Sequence, residues 1–409
     1  MSVSINPDIV TDGLVLCLDA ANPDCFRGEP TTNLITGSFV DGMGHSTVIS
    51  SNEIDQYGVI RSLRKATINN TNGTNRVFIS SSIGIPVLNR DYTISMWIKR
   101  VGDISVTAGW EPEVGPGDGY LRPNIESGYI GTYGASPQPN TVPTEWTYIT
   151  YSFKYTVTTT TNLSLLFYIN GNVGAQILFS DPQVETKSYA TPYVNGTRGG
   201  TVATGGGLAD LSNNNNHGTI VRNAVPTASF YNSGNRGNLI FDGVNDYVAL
   251  NNKDGLGDNF SSFSIDLVIR TRTGTGANEV GYILHRSTSY TVGTAVYSIY
   301  MATDSLGFSV NGSNFLILNN KNNVLAHYCY TWDGSVTKLY TNGVFTTSVN
   351  FTTFTNIRTG STATIGSTSI SPGYRPANCD LFNLKIYDEA LTPKQILDNY
   401  RATKGRYGL

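Results

Sequence analysis

Charge is scarce in this 409-residue sequence: Asp, Glu, Lys and Arg make up 14%, against roughly 25% in ordinary soluble proteins. Gly, Asn, Thr and Ser take their place, with 24 Tyr, which is a turn-rich, β-rich composition. The 39% hydrophobic content separates it from disordered chains, because that much apolar material can fill cores. Lys and Arg form no run and the formal net charge is −3, so the footprint of a nucleic-acid binder is missing. Long apolar runs are missing too, and with them any stretch of the roughly 18 residues that mark a membrane span. Cysteine is rare. Cys17, Cys25, Cys329 and Cys379 are too few and too scattered for a disulfide framework, and no C-x-x-C pair occurs. Four free thiols in a reducing cytosol are expected. The opening "MSVSINPDIVTDGLVLCLDA" has no basic n-region and only a short apolar run, so an export signal is not expected. The sequons at Asn195 and Asn311 would then stay unmodified.

Two-residue alternation dominates what is present. "YTISMWIKR" (92–100), "TYITYSFKYTV" (147–157), "LSLLFYINGN" (163–172), "GNLIFDG" (237–243), "FSIDLVIRTRT" (263–273), "AHYCYTW" (326–332) and "TKLYTNGVF" (337–345) all read as strands. Asn170-Gly171 and Asn342-Gly343 carry the strongest short hairpin signal. The plan repeats. "DYTISMWIKR", "EWTYITYSF" and "LLFYINGN" are answered by "SSFSIDLVIR", "LAHYCYTWDG" and "TKLYTNGV", which points to two tandem antiparallel sandwiches. One helix is expected, over "LTPKQILDNYRATKG" (391–405). Thr392 suits the N-cap, Pro393 the first turn and Gln395 a capping box. Ile396, Leu397 and Tyr400 would form its apolar face, and Gly405 would close it. Two segments read as loops: 101–145, rich in Gly, Pro and Tyr, and "NGTRGGTVATGGGLA" (195–209), a flexible joint.

Four segments resemble a known family. "GLVLCLDAANPDCF" (13–26), "LADLSNNNNHGTIVRNAVPTASF" (208–230), "LIFDGVNDYVAL" (239–250) and "LFNLKIYDEALTPKQILDNYRATKGRYG" (381–408) look like the concanavalin A-like, laminin-G-like jelly rolls of tailed-bacteriophage structural proteins. In that family the first segment runs almost directly into the second, whereas here residues 27–207 separate them. The intervening part is similar to the carbohydrate-binding-module-like jelly rolls of phage tail and fibre proteins. The resemblance therefore implies an all-β chain of two antiparallel jelly-roll β-sandwiches, one inserted into the other, with a short C-terminal helix. Residues 1–30 would supply the first strands of the laminin-G-like sandwich, 31–198 the insertion and 199–409 the remainder. The strand at 14–18 should pair inside the C-terminal sandwich.

Glycan hydrolases of this fold set two carboxylates across the bond to be cut, in the laminarinase-type relatives as Glu-x-Asp-x-Glu on one strand. No such run exists, and Glu111 and Glu113 sit among prolines and glycines in "GWEPEVGPG". His45, His217, His285 and His327 have no Gly-x-Ser-x-Gly partner, and His327 reads as a residue on one face of a strand. No phosphate loop, dinucleotide fingerprint or zinc spacing is present. No catalytic residue is assigned. Calcium is the one metal the composition suits, with Asp210, Asn213 and Asn215 or Asp242, Asn245 and Asp246 as oxygen ligands. Tight turns without an ion explain the same residues. Glycan binding needs aromatic faces beside polar groups. The 101–145 loop offers Trp110, Tyr120, Tyr129 and Tyr133 with Arg122 and Asn124, which equally suit packing against the domain or a neighbouring subunit.

The reading that follows is a non-enzymatic virion structural protein: a capsid decoration, neck or tail-fibre adhesion module assembled in the host cytoplasm and exposed on the particle. Its expected partners are other virion proteins, copies of itself and a host surface glycan, with neither nucleic acid nor membrane insertion. The alternative is a lectin for host envelope polysaccharide, and the third reading a glycan hydrolase.

Overall fold

The computed structural model describes residues 9–35, 40–41, 46–69, 76–84, 87, 89–110, 120–121, 131–132, 142–155, 163–222, 229–232, 237–251, 256, 260–272, 280–287, 295–302, 304–310, 313–319, 321–351, 362–369 and 374–409. The protein is mostly β, with several antiparallel sheets and one C-terminal α-helix. It divides into two compact units. Unit 1 combines Met1–Pro30, Arg198–Ala224 and Ser229–Leu409, and unit 2 is essentially Thr31–Thr197. No helix among the described residues is long and apolar enough to cross a membrane.

Unit 1 is built from an eight-stranded and a nine-stranded sheet. The centre of the first is the strand Asn378–Tyr387, flanked on one side by Phe263–Thr271. Its other side is shared end to end. Leu14–Asp19 pairs with residues 383–387 and Asn238–Asp242 with residues 378–381, both antiparallel. Alternation along these strands explains the core. Ile265, Leu267, Ile269, Leu384 and Ile386 from the first sheet and Ile299, Leu306, Phe308 and Ile365 from the second belong to one buried cluster. Phe308 of one sheet stacks on Tyr330 of the other at 4.6 Å between ring centroids.

Turn chemistry met two outcomes. Asn342 and Gly343 both take positive φ (51° and 77°), and they join Val336–Thr341 to Val344–Asn350 as a hairpin. Asn170-Gly171 instead ends the strand Leu163–Gly171, and the next strand, Gln176–Glu185, belongs to a different sheet. That crossover is a four-residue link, so the Asn-Gly signal there marks no hairpin. The glycine-rich stretch read as a flexible joint is also different. It holds a 3-10 turn, Val202–Thr204, and the short strand Gly207–Leu208. Its glycines permit close approach: a Cβ on Gly206 would meet the Gly199 carbonyl oxygen at 2.0 Å, and one on Gly200 the Ile220 oxygen at 2.3 Å.

The helix spans Pro393–Tyr407, with Thr392 as N-cap and the expected capping box to Gln395. It ends one turn later than its sequence suggests: Gly408, not Gly405, is the left-handed C-cap. Tertiary contact explains the extension. Tyr407 is buried and packs edge-on against Phe382 at 5.3 Å. The buried face is Ile396, Asn399, Thr403 and Tyr407, with Leu397 and Tyr400 only half-buried. Asn399 is polar because the sheet beneath it is polar, whereas the Thr403 hydroxyl donates back to the Asn399 carbonyl at 2.9 Å. Asp266 and Lys385 face each other across neighbouring strands, with Lys385 Nζ 2.9 Å from Asp266 Oδ1. His327 Nε2 lies 2.9 Å from Asp266 Oδ2, and Asn399 donates to Asp266 Oδ2 at 3.2 Å and to the Tyr387 hydroxyl at 3.0 Å. His327 thus does lie on one face of its strand, but that face is fully covered. Burial opposes ionisation of Asp266, yet Lys385 and then His327 hold its carboxyl well below the usual range.

Unit 2 has a six-stranded sheet in the order 131–132, Thr147–Tyr155, Arg90–Val101, Gln176–Glu185, Ile60–Ile68, Ser46–Ile54. A second sheet is centred on Leu163–Gly171 and Arg76–Gly84. Tyr92, Ile94, Met96, Ile98, Ile177, Phe179 and Val184 alternate into the interior of unit 2. Thr93, Ser95, Trp97 and Lys99 are therefore left on the opposite face.

Candidate functional site

Trp110 closes the strand Val106–Trp110 and Tyr120 opens the pair Tyr120–Leu121, but their side chains lie outside the described residues. Arg122, Asn124, Tyr129, Tyr133, Glu111 and Glu113 lie wholly outside them.

The "DLSNNNNHG" stretch is fully described, and its groups serve the fold. Asp210 Oδ1 accepts from the backbone N–H of Cys17 and of Ser212, each at 2.9 Å. Its Oδ2 accepts from the Ser212 hydroxyl at 2.8 Å and the Asn216 N–H at 3.0 Å. Asn214 and Asn216 donate to the carbonyls of Leu14 and Val15 at 3.0 and 2.7 Å. Asn213 and Asn215 take left-handed φ values of 68° and 59°, a conformation Asn tolerates. The stretch is a clamp that fixes Leu14–Asp19 to a segment some two hundred positions later in sequence.

The second group is a turn and an ion pair. Asp242 accepts the Val244 N–H at 2.8 Å. Asp246 is buried and bonded to Arg222 at 2.9 Å, and Arg222 also reaches Glu29 at 2.8 Å. Asn245 is half-buried between them. Calcium takes six to eight oxygens with free lone pairs. Here the oxygens of Asp210 face four hydrogen donors and Asp246 faces a guanidinium, so both carboxylates are engaged within the fold. Among the described residues no three His, Cys, Asp or Glu side chains gather as a metal site.

The buried Asp266–His327 pair has the geometry of a base and its orienter, but no free nucleophile stands beside it among the described residues. Ser264 is occupied with Glu389 and Leu391. Burial, reinforced by Asp266, pushes the Cys329 thiol well above its usual range, so it is no thiolate. Burial likewise raises Cys17 to about 11 and Cys25 to about 12.

A candidate site lies on the second face of the six-stranded sheet in unit 2, where Thr93, Ser95, Ser180 and Gln183 are buried, Trp97 is half-buried and Tyr148 is exposed. Register aligns Tyr148, Trp97 and Ser180 in one row across three strands. Trp97 and Tyr148 form a tilted pair, 5.0 Å between ring centroids, and Tyr148 is 40% exposed. The next row holds Thr150, Ser95 and Gln183, and Tyr148 hydrogen-bonds Ser95. A bulge between Ser180 and Gln183 turns Asp181 to a φ of 51°. Such bulges re-aim side chains. This one sets Asp181 against Arg61 and Gln56, at 3.3 and 2.5 Å. Arg61 also reaches the Ser180 hydroxyl at 3.1 Å and pairs with Asp55. Asp55 pins the hairpin tip by accepting the N–H groups of Tyr57 and Val59, each at 2.8 Å. That tip carries Ile54, Tyr57, Val59 and Ile60, all more than half exposed. Its sequence signal was present: a Tyr-Gly turn flanked by apolar residues that do not alternate inward. The whole is an aromatic platform with a rigid polar and apolar border.

Comparison with known proteins speaks to unit 1. Residues 242–397 match the family model of the concanavalin A-like lectin/glucanases superfamily. The match covers much of both unit 1 sheets and the first turn of the helix. No curated protein matches the chain. Solved structures similar to it include the receptor-binding domain of a botulinum neurotoxin C/D mosaic serotype, at a TM-score of 0.37 and 14% identity over 47% of this chain and 48% of that one. The binding domain of Paraclostridial Mosquitocidal Protein 1 gives a TM-score of 0.37 and 16% identity over 47% of this chain and 49% of that one. A structure described by the entry of botulinum neurotoxin type C through two ganglioside molecules gives 0.36 and 18%, over 48% of each chain. The chain thus spans about half the length of these structures.

Proposed function

We propose that the protein is a non-enzymatic binding module whose unit 2 takes saccharide on the second face of its six-stranded sheet. The carrying observation is the pair of half-buried Trp97 and exposed Tyr148 set beside Asp181, Arg61 and Ser180. Aromatic rings cover the apolar side of a sugar ring, while carboxylate, guanidinium and hydroxyl groups meet its hydroxyls. The pre-set bulge and hairpin tip keep the ordering cost of binding low. A hydrolase is disfavoured on the same face: Asp181 is engaged by Arg61 and Gln56, and among the described residues no second carboxylate stands free across the platform for acid–base work.

The setting we propose is a tailed-bacteriophage particle, with the chain held among other virion proteins and copies of itself while the platform meets host envelope glycan. Support comes from the sequence resemblance of residues 13–26, 208–230, 239–250 and 381–408 to phage structural jelly rolls. Glycan-array binding by the whole protein, lost in Trp97→Ala, tests the platform. Labelling of purified particles with antibody against the protein tests the setting. Silence on every glycan would sink the first, and unlabelled particles the second. Release of reducing ends from bound polysaccharide would establish the hydrolase instead.

A further inference from the structure

Unit 1 carries a cation, Arg375, that no carboxylate among the described residues neutralises. The outward face of the nine-stranded sheet has two rows set by register. One runs Thr364, His285, Ser298, Ser309 and the other Tyr282, Tyr300, Gly307. Arg375 stands at this face. Its carbonyl accepts the Tyr282 N–H at 3.1 Å, and its side chain hydrogen-bonds the hydroxyls of Tyr282 and Tyr374. The guanidinium lies 5.6 Å from the centre of the Tyr374 ring, which is 58% exposed. No carboxylate pairs with it among the described residues; Tyr374 and Tyr282 favour its charge, and it in turn disfavours protonation of His285.

Three features separate this group from an ordinary surface arginine. Arg375 holds a φ of 50°, in the left-handed region that penalises a side chain. Strain of that kind persists where something else requires the residue. The Tyr300 hydroxyl, one strand further along the row from Tyr282, is buried and has no hydrogen-bond partner among the described residues. The ring of His285, 4.5 Å from that of Tyr282, is held by Ser369 at 3.0 Å, so the wall behind Tyr282 is fixed.

We propose that Arg375, Tyr374 and Tyr282 form a second saccharide site, in unit 1, selective for sugars that carry a carboxylate. The guanidinium fork matches a carboxylate in two parallel hydrogen bonds. The exposed Tyr374 ring offers a face for the pyranose. The site is independent of the unit 2 platform, since it uses a different sheet of a different unit.

The test uses the whole protein and matched probes: trigalacturonic acid against its full methyl ester, and sialyllactose against lactose, titrated calorimetrically at low and moderate salt. At least one acid should bind ten-fold or more tighter than its neutral counterpart, and added salt should erode the preference. Arg375→Gly removes the fork while a glycine relieves the left-handed backbone. Its thermal midpoint should hold or rise, and the preference for the acid should vanish. Arg375→Gln should also lose the preference, and Trp97→Ala should keep it. Equal binding of acid and neutral forms, or a preference that survives Arg375→Gly, would overturn the proposal.

Discussion

Two sheets in this molecule carry polar side chains on the face turned away from their core, and they differ in what covers that face. On the eight-stranded sheet of unit 1 the helix Pro393–Tyr407 lies over Asp266, His327 and Lys385, and helix residue Asn399 completes their bonding. Every one of those groups is buried. On the six-stranded sheet of unit 2 the polar groups Ser95, Ser180 and Gln183 are buried as well, but Tyr148 is exposed and Trp97 half-buried beside a rim tied down by Arg61, Asp55 and Asp181. Residue types that look equally functional in sequence therefore do opposite things. Polar groups satisfied by one another under a lid specify how a helix docks. Aromatic groups left open on a braced sheet wait for a partner.

Removing the centre of the covered network should have the largest effect. Asp266→Asn leaves the Lys385 ammonium buried without its counter-charge, a loss of about 3–5 kcal/mol, seen as a lower urea midpoint for unit 1. Hydrogen exchange in unit 2 should not change. Acid should act in the same direction. Asp266 has a folded pKa below its unfolded one, so its contribution is present above the ordinary Asp value of about 3.9 and fades as pH drops below it. Unit 1 should destabilise progressively under acid, and a flat profile down to strongly acidic pH would refute the pairing. Next comes Asp210→Ala. Bonds to a charged acceptor contribute about 1.5–3 kcal/mol each at most, so a loss of about 2–3 kcal/mol is expected. Faster amide exchange should concentrate in Leu14–Asp19, and uniform loosening of unit 1 would count against the clamp. Thr392→Ala should cost about 1 kcal/mol through the lost cap, read as a small drop in thermal midpoint.

Much of this architecture is legible in sequence, and the misses have physical causes. The strands at Phe263–Thr271 and Leu325–Trp332 show because alternation survives wherever one face packs in a core. The pairing of Leu14–Asp19 with Asn378–Tyr387 is beyond alternation, since no local signal spans that separation, and only the family resemblance of residues 13–26 points to it. The repeated plan misleads at its third element. Val336–Thr341 returns beside Leu325–Trp332, whereas Leu163–Gly171 joins the other sheet of unit 2, although both end in Asn-Gly. His327 is placed on the correct face, but a lid contributed by residues 393–407 cannot be read from a strand. Asp210, Asn213 and Asn215 look like ligands because turn formation and cation binding use the same oxygens. The platform goes unnoticed because Trp97, Tyr148 and Asp181 come from three strands and a bulge, and only register brings them together.

The most direct test of the contrast is calorimetric titration of wild type and Trp97→Ala with the best-binding host polysaccharide fragment found by array. The half-exposed position of Trp97 predicts a thermal midpoint close to wild type, with affinity reduced ten-fold or more, about 1.4 kcal/mol. Unchanged affinity in a folded Trp97→Ala protein would contradict the account, because the open face would then be no more than an uncovered sheet.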